Sequence, residues 1–209
     1  MYIRSYMLPK QKLTTVGLRE NLIAALDKIN QGNFLSLPVV EEDEFKGIIM
    51  KEGIYRKFFE LQKDNREEYL NNTTVEEIFS KEFESVQASD RIEKASYLLK
   101  EIRTPFLPVF DSNKFVGILT HSAIFNAFSE MFGIDKGTGI VVNMFDLPGQ
   151  LAKLTDIIRK EGINIMNIAV LDPKVLDLMQ VILRVDTDNI DDLAQKIQQA
   201  GFKIGEIRR

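Results

Sequence analysis

The feature that most constrains this chain is an internal repeat at an offset of 70 residues. The segment Pro38-Val39-Val40 returns as Pro108-Val109-Phe110, and Phe45-Lys46-Gly47-Ile48 returns as Phe115-Val116-Gly117-Ile118. Proline, glycine and apolar residues recur at matching places without a gap. A repeat of this kind indicates two copies of one structural unit. A unit of about 60 residues is marginal alone, so the copies are expected to pack against each other.

Each copy predicts the order strand, helix, strand, strand, helix. A short apolar run begins at Leu37 or Leu107, a polar turn follows, and a second strand covers about residues 45–50 or 115–120. The last helix is predicted around residues 52–62 or 122–132. The first helix of each copy has apolar residues at helical spacing on one face, and these are Leu22, Ala25, Leu26 and Ile29 in one copy and Ile92, Ala95, Leu99 and Ile102 in the other.

The 70-residue period ends after Phe132, at the glycine-rich segment 133–139. The remaining chain predicts the order βαββαβ, a ferredoxin-like plait. In that plait we expect an outer, exposed strand near Leu178–Val185. The predicted organisation is a first unit at residues 1–62, a linker at 63–73, a second unit at 74–132, a linker at 133–139 and a third domain at 140–209. The expected fold class is α/β (α+β).

Composition excludes several kinds of function. The chain has no cysteine and one histidine, His121, so disulfides, thiolate metal sites and multi-histidine sites are not expected. The formal net charge is -4, without a basic block, which argues against nucleic acid and membrane surfaces as partners. No nucleophile elbow or P-loop is present, so we expect no catalytic residues, no metal and no cofactor. Without a membrane span or a signal peptide, a cytoplasmic protein is expected.

The repeated block, Leu37-Pro38-Val39-Val40 with a turn and Gly47-Ile48-Ile49, resembles a CBS domain, and the pair resembles a Bateman module. The segment Asp146-Leu147-Pro148-Gly149-Gln150-Leu151, followed by Gly162-Ile163-Asn164-Ile165, resembles an ACT domain. Together they resemble the bacterial CBS–ACT proteins of the acetoin-utilisation AcuB-like group. Some CBS proteins of Gram-positive bacteria are receptors for cyclic di-AMP. The resemblance implies a non-enzymatic regulatory protein whose CBS pair binds an adenine nucleotide.

The family pattern at the start of the last CBS helix is G-h-h-[T/S]-x-x-D, in which the aspartate binds ribose. The second copy reads Gly117-Ile118-Leu119-Thr120-His121-Ser122-Ala123, so it keeps the threonine and lacks the aspartate. The first copy, ending Met50-Lys51-Glu52-Gly53, lacks both. This departure counts against AMP and ATP more than against a dinucleotide, whose 3′ oxygens are esterified and whose two phosphates prefer cations and amides. Cyclic di-AMP is therefore the first expectation, and AMP or ATP is the next.

The resemblance assigns nucleotide contacts in both copies. For Thr120, a helix N-cap explains the residue as well as a ligand contact does. Lys51 and His121 occupy equivalent helix starts, where a solvated surface residue is the alternative to a phosphate contact. The valines and leucines of the set are also explained by core packing. The residues expected to bind nucleotide are Thr15, Val16, Leu37, Lys51, Arg56, Ser85, Val86, Leu107, Thr120 and His121.

In the ACT-like domain, Asp146, Gly149 and Asn164 are the candidates for a ligand site. The resemblance implies an amino-acid ligand, and the chain could then be an amino-acid sensor with the CBS pair as a scaffold. Two structural alternatives stand beside this reading: the turn itself requires Gly149, and the domain could serve only to dimerise the chain. We expect a homodimer with a further regulated protein as its partner.

Overall fold

The structure, a computed structural model, describes residues 1–102, 104–134 and 136–208. The chain divides into two compact units, Met1–Phe125 and Asn126–Arg209. The division falls inside a helix, ahead of the glycine-rich segment at which we predict a linker. In chain order the elements of the first unit are β1 (Leu8–Pro9), α1 (Leu22–Gln31), β2 (Ser36–Glu41), β3 (Glu44–Met50), α2 (Lys51–Glu60), α3 (Arg66–Asn72), β4 (Val86–Gln87), α4 (Ile92–Glu101), β5 (Phe106–Asp111), β6 (Lys114–Thr120) and the start of α5 (His121–Phe132).

The two copies of the repeat fold alike. Strands β2 and β3 form an antiparallel hairpin, and β5 and β6 form the same hairpin with matching register, since Ser36 pairs with Met50 and Phe106 with Thr120. The pattern of buried and exposed residues along β2 equals that along β5, and β3 equals β6. Each hairpin turns through two residues with positive φ, which is the backbone of a type I′ turn.

The opening segments of the two copies are exchanged. The opening segment of the first copy packs on the second: Leu8 pairs with Ile118, and the backbone N–H of Ile3 donates to the carbonyl of Asp90. The opening segment of the second copy packs on the first, where Ser80 pairs with Ile48 and the N–H of Val75 donates to the carbonyl of Glu20. Each hairpin is thus completed by the opening segment of the other copy.

The predicted linker at 63–73 contains the helix α3. Its Tyr69 and Leu70 are 4% and 6% exposed and join the core of the first copy. The Tyr69 hydroxyl donates to the carbonyl of Ile54, and burial raises the pKa of this hydroxyl. The charged and asparagine-rich sequence of α3 reflects its exposed side, whereas Tyr69 and Leu70 in its middle are structural.

An apolar cluster joins the two copies. Phe45 and Phe115 occupy equivalent places in β3 and β6, and their ring centroids are 5.0 Å apart. Ile48 and Ile118 belong to the same buried cluster. The repeat therefore packs as a pair, as the small size of each copy requires.

The second unit is a βαββαβ plait. Its elements after α5 are β7 (Thr138–Phe145), α6 (Gln150–Lys160), β8 (Asn164–Leu171), β9 (Leu178–Asp186), α7 (Ile190–Gln199) and β10 (Lys203–Arg208). The sheet order is β10-β7-β9-β8, and the apolar faces of α6 and α7 cover one side of it.

One expectation about this sheet was wrong. The segment Leu178–Val185, which we expected at the outside, lies in β9 between β7 and β8, and Val181, Leu183 and Val185 are fully buried. The edge strands are β8 and β10. Alternation of side chains cannot identify an edge, because edge and central strands share the same two-residue period.

Candidate functional site

In the first copy, several of the predicted nucleotide-binding residues converge on one end of the hairpin. Leu37 pairs with Ile49 near the end of β3, and the N–H of Val16 donates to the carbonyl of Pro38. The N–H of Lys51 donates to the carbonyl of Leu35. Val16 and Leu37 are 1% and 2% exposed. Their side chains are core residues, so only the adjoining backbone can reach a ligand at this end.

The two cations of the first copy differ in their surroundings. Lys51 Nζ donates to Asn30 Oδ1 at 2.6 Å, a neutral partner that leaves the charge of the ammonium uncompensated. The Arg56 guanidinium lies 3.7 Å from Glu52 and 3.8 Å from Glu60, so two carboxylates offset its charge. Lys51 is therefore the better placed of the two to attract a phosphate.

In the second copy, Thr120 and His121 begin helix α5. Thr120 Oγ1 accepts a hydrogen bond from the N–H of Ala123 at 3.2 Å, so the N-cap is present. The threonine hydroxyl can still donate its own proton. His121 is exposed, with Nδ1 3.3 Å from the carbonyl oxygen of Pro105. The hydroxyl of Thr120 and the exposed imidazole of His121 form a polar edge at the start of α5.

The remaining predicted residues of the second copy separate into surface and core. Ser85 is exposed, whereas Val86 and Leu107 are 1% and 0% exposed. Val86 pairs with Val109 in parallel, and Leu107 pairs with Leu119. As in the first copy, the apolar members of the set hold the sheet together, and the polar members are those free to meet a ligand.

The structure adds residues that sequence reasoning missed. Arg56 lines a cavity of about 360 Å³ together with Met50 and Gly53 of the first copy and with Phe79 and Ser80 of the exchanged segment. This exchanged segment corresponds to the opening segment of the first copy at an offset of 72 residues, which aligns Ile3 with Val75. The main repeat has an offset of 70 residues, and the two-residue difference hides this correspondence.

The ACT-like candidates do not meet within one chain. Asp146 follows the end of β7, and Gly149, with a φ of 86°, precedes α6 at that end of the sheet. Asn164 begins β8 and pairs with Asp186 at the end of β9. The neighbouring residue Val185 pairs with Thr138, so Asn164 lies at the level of the start of β7. The length of β7, roughly 25 Å at about 3.3 Å per residue, separates Asn164 from the other two. Asp146 does line an open groove of about 800 Å³ with the β8–β9 loop.

Two kinds of feature are absent from the described part of the chain. It contains no group of three or more His, Asp or Glu residues arranged to hold a metal ion. It also contains no helix that is long and apolar enough to cross a membrane.

Comparison with known proteins defines the class of the molecule. The CBS domain model matches residues 3–60 and 75–130, and the ACT domain model matches residues 138–202. The CBS matches alone cover more than half of the chain, so the protein belongs to the CBS-domain family, and it carries an ACT domain after the CBS pair.

Individual relatives agree with that class. A CBS domain-containing protein of Bacillus subtilis, YhcV, is 28% identical over 108 residues, which are 52% of this chain and 73% of that protein. The crystal structure of CBSX2 in complex with AMP is 26% identical, has a TM-score of 0.53 and covers 62% of this chain and 96% of CBSX2. A CBS domain-containing protein of Bacillus anthracis, 23% identical with a TM-score of 0.54, shares the fold over 62% of this chain and 94% of its own.

Proposed function

We propose that this protein is a non-enzymatic regulatory protein of the cytoplasm whose CBS pair binds an adenine nucleotide. The observation that carries the proposal is that the two CBS copies place polar residues at equivalent helix starts. Lys51 begins α2 in the first copy, and His121, preceded by Thr120, begins α5 in the second. The AMP complex of CBSX2 supports an adenine ligand for a related pair. Ligand binding would favour one arrangement of the two copies and so alter the surface offered to a regulated protein.

Cyclic di-AMP is the nucleotide that we propose first. The position of the family's ribose-binding aspartate holds Gly53 in one copy and Ala123 in the other. Neither can bind free ribose hydroxyls. A cyclic dinucleotide has its 3′ oxygens esterified, and its two phosphates could each meet one of the basic side chains Lys51 and His121. AMP and ATP are the next candidates.

The test is calorimetric titration of the full chain with cyclic di-AMP, AMP, ADP, ATP and S-adenosylmethionine. We expect His121→Ala and Thr120→Ala to weaken nucleotide binding about tenfold or more, because each removes a charged or hydroxyl contact worth on the order of 1.5 kcal/mol. Met50→Ala, at the equivalent place before α2, is the control and should change affinity little. Thr120→Ser keeps the hydroxyl and should restore binding, which separates ligand contact from side-chain packing.

The pH dependence gives an independent readout. Histidine gains charge between about pH 8 and pH 5, and a phosphate favours its charged form. Affinity should rise as the pH falls from about 7.5 to 6 in the wild type and not in His121→Ala. Binding that is unchanged in both Thr120→Ala and His121→Ala would move the site to the first copy, near Lys51 and Arg56. No heat with any of the five compounds would refute the nucleotide proposal.

A second candidate function is amino-acid sensing through the ACT domain. The groove beside Asp146 favours it. Asn164 could complete such a site only from another copy of the chain, because it lies at the far end of its own sheet. A thermal-shift screen of the twenty amino acids tests this candidate. A response lost in Asn164→Ala and kept in Thr120→Ala would support it, and no response to any amino acid would exclude it.

We further propose that the chain is a homodimer paired through β8. This edge strand exposes Met166, Ile168, Val170 and Leu171, each between 41% and 50% exposed. The opposite edge, β10, carries Lys203, Glu206 and Arg208. Charged residues protect an edge strand from pairing, whereas an apolar edge favours it.

A further inference from the structure

A second cavity of the CBS pair lies between the two hairpin turns. Its volume is about 620 Å³, within the range of small-molecule sites. Residues at equivalent positions of the repeat line it, so both copies build its walls. The lining residues are Asp43, Glu44 and Phe45 from the first copy, Phe110, Asn113, Lys114, Phe115 and Val116 from the second, and Lys10 and Gln11 from the segment after β1.

This cavity is separate from the proposed nucleotide site. The hairpin of the first copy turns where Glu41 pairs with Glu44, and its other end is the pair Ser36–Met50 next to Lys51. The strand between Phe45 and Met50 spans roughly 17 Å at about 3.4 Å per residue. None of the residues proposed to bind nucleotide is among those that line the cavity.

Aromatic rings form the apolar part of the lining. The Phe110 and Phe115 centroids are 6.0 Å apart, and the rings are tilted by 60°. Phe45 meets Phe110 edge to face at 6.4 Å. Phe45 and Phe115 are 8% and 6% exposed, while Phe110 is only partly buried. These rings have fixed positions in the packed cluster between the copies, and Phe110 in particular presents apolar surface to an occupant of the cavity.

The charges of the lining leave one lysine uncompensated. Lys10 Nζ forms an ion pair with Asp43 and also donates to its carbonyl at 2.9 Å. Glu44 accepts a hydrogen bond from Lys46 at 2.6 Å, and this contact lowers the pKa of the carboxyl. Both acids of the lining are therefore neutralised by their own lysines. The side chain of Lys114 is exposed, and its ammonium group makes no hydrogen bond or ion pair with any residue that the structure describes.

We propose that this cavity binds a small organic carboxylate with an aromatic or branched apolar body. The carboxylate would pair with Lys114 and accept hydrogen bonds from the side-chain amides of Asn113 and Gln11, and the body would pack on Phe110 and Phe115. The site does not depend on nucleotide binding. Because it lies where the two copies meet, a ligand there would favour one relative placement of the copies.

The full chain is titrated with phenylacetate, with indole-3-acetate and with the neutral analogue phenylacetamide. Calorimetry and ¹H–¹⁵N NMR monitor each titration. Phenylacetate should bind at millimolar or lower concentration, at least about fivefold more tightly than the amide, and should shift the amide signals of the two hairpins. Lys114→Gln should remove the preference for the carboxylate.

Two more variants separate charge from shape. Lys12→Gln carries the same charge change on the short helix that holds Lys10 and Gln11, but Lys12 does not line the cavity, so binding should be unchanged. Val116→Trp places a large ring in the cavity and should abolish binding of both phenylacetate and phenylacetamide.

Three results would overturn the proposal. These are no binding of either carboxylate at millimolar concentration, equal affinity in wild type and Lys114→Gln, and signal shifts confined to residues near Lys51 or His121. Displacement of phenylacetate by AMP or cyclic di-AMP from a site that needs Lys114 would also overturn it, because the cavity would then be a nucleotide site. If the protein binds no nucleotide, each of these measurements still tests the carboxylate site.

Discussion

Gly47 and Gly117 show how single residues permit the exchange of the opening segments. A Cβ on Gly117 would lie 2.3 Å from the carbonyl oxygen of Leu8, and one on Gly47 would lie 2.1 Å from that of Ser80. Both contacts are with backbone of the exchanged segment, which a larger side chain would displace. The glycine that both copies share therefore marks the place where a segment from outside the copy docks.

Gly117→Ala should destabilise the CBS pair by about 1–3 kcal/mol or more, because the added methyl group meets backbone that cannot rotate away. Urea unfolding measures the loss. Gly53→Ala is the matched control, since a Cβ there meets only Met50 Cβ at 3.8 Å and the second copy has alanine at the same place. In the helix α2 this control should be neutral or slightly stabilising. Equal stability of wild type and Gly117→Ala would contradict the role given to the glycine.

An acidic residue before the first helix has the same role in both copies. Asp90 Oδ2 accepts hydrogen bonds from the N–H of Gln87 at 2.9 Å and from Lys94 at 2.8 Å. In the first copy, Glu20 accepts from the N–H of Gly17 at 2.8 Å and from Lys28. The carbonyl groups of both acids accept hydrogen bonds from the exchanged segments. Each acid thus braces the turn on which the other copy's opening segment docks.

The hydrogen bonds from Lys94 and from the Gln87 N–H lower the pKa of the Asp90 carboxyl. Because the pKa of this carboxyl is lower in the folded state than in the unfolded chain, where it is about 4, the carboxylate stabilises the folded state above about pH 4. This contribution to stability is lost as the pH falls through the pKa of the folded state. Asp90→Asn should cost on the order of 1–3 kcal/mol at pH 7, and the cost should shrink near pH 3. Denaturant unfolding at both pH values tests this. Asp64→Asn, on an exposed acid, should show no such pH dependence, and a cost at Asp90 that is constant with pH would refute the argument.

At the scale of elements, the exchange makes each copy depend on the opening segment of the other. The 3₁₀ helices Ile3–Ser5 and Val75–Glu77 are equivalent, and both Ile3 and Val75 are fully buried. A fragment of residues 10–62 would therefore lack Val75 and Ser80, which pack on its own part of the first copy. The copies are therefore folding partners and not independent modules.

Ile3→Ala should destabilise the protein by about 2–5 kcal/mol, the usual range for a truncated buried isoleucine. Hydrogen exchange should show that protection falls most in β5 and β6 and less in β2 and β3. Ser5→Ala, an exposed residue of the same short helix, should leave both stability and protection unchanged. A loss of protection that began in the first copy would contradict the exchanged arrangement.

At the scale of the whole molecule, the edges of the ACT sheet decide how copies of the chain can associate. Strand β9 is central and paired on both sides, so it cannot be the dimer edge. Strand β8 combines an open edge with exposed aliphatic side chains, and β10 combines an open edge with charges. A dimer through β8 would also bring Asn164 of one copy toward the other copy. Within a single chain, Asn164 lies at the opposite end of the sheet from Asp146 and Gly149.

Ile168→Lys should convert the proposed dimer to a monomer near 24.0 kDa, because it places a charge on the apolar edge. Light scattering at micromolar concentration measures the mass. Glu206→Lys on β10 is the control at the other edge and should leave the mass unchanged. A wild-type monomer would refute the dimer, and a dimer that survives Ile168→Lys would place the interface elsewhere.

The sequence by itself determined the local architecture of this protein. The recurrence of Pro38 and Gly47 as Pro108 and Gly117 predicted two equal units, and the βαββαβ order predicted the plait, because strand, turn and helix signals are properties of neighbouring residues. Polar candidates such as Thr120 and His121 were also visible, since a helix start follows directly from local pattern.

Only the tertiary structure decided which segments meet. Ile3 and Val75 have no sequence signal that assigns them to the opposite copy, and Leu178–Val185 reads the same whether it is central or at an edge. The sequence also does not show that Asn164 and Asp146 lie at opposite ends of one sheet, or that Lys10, Phe45 and Lys114 surround one cavity. The physical reason is that these placements depend on pairing between residues far apart in the chain, and that pairing is fixed by the burial of shared apolar surface and not by local conformational preference.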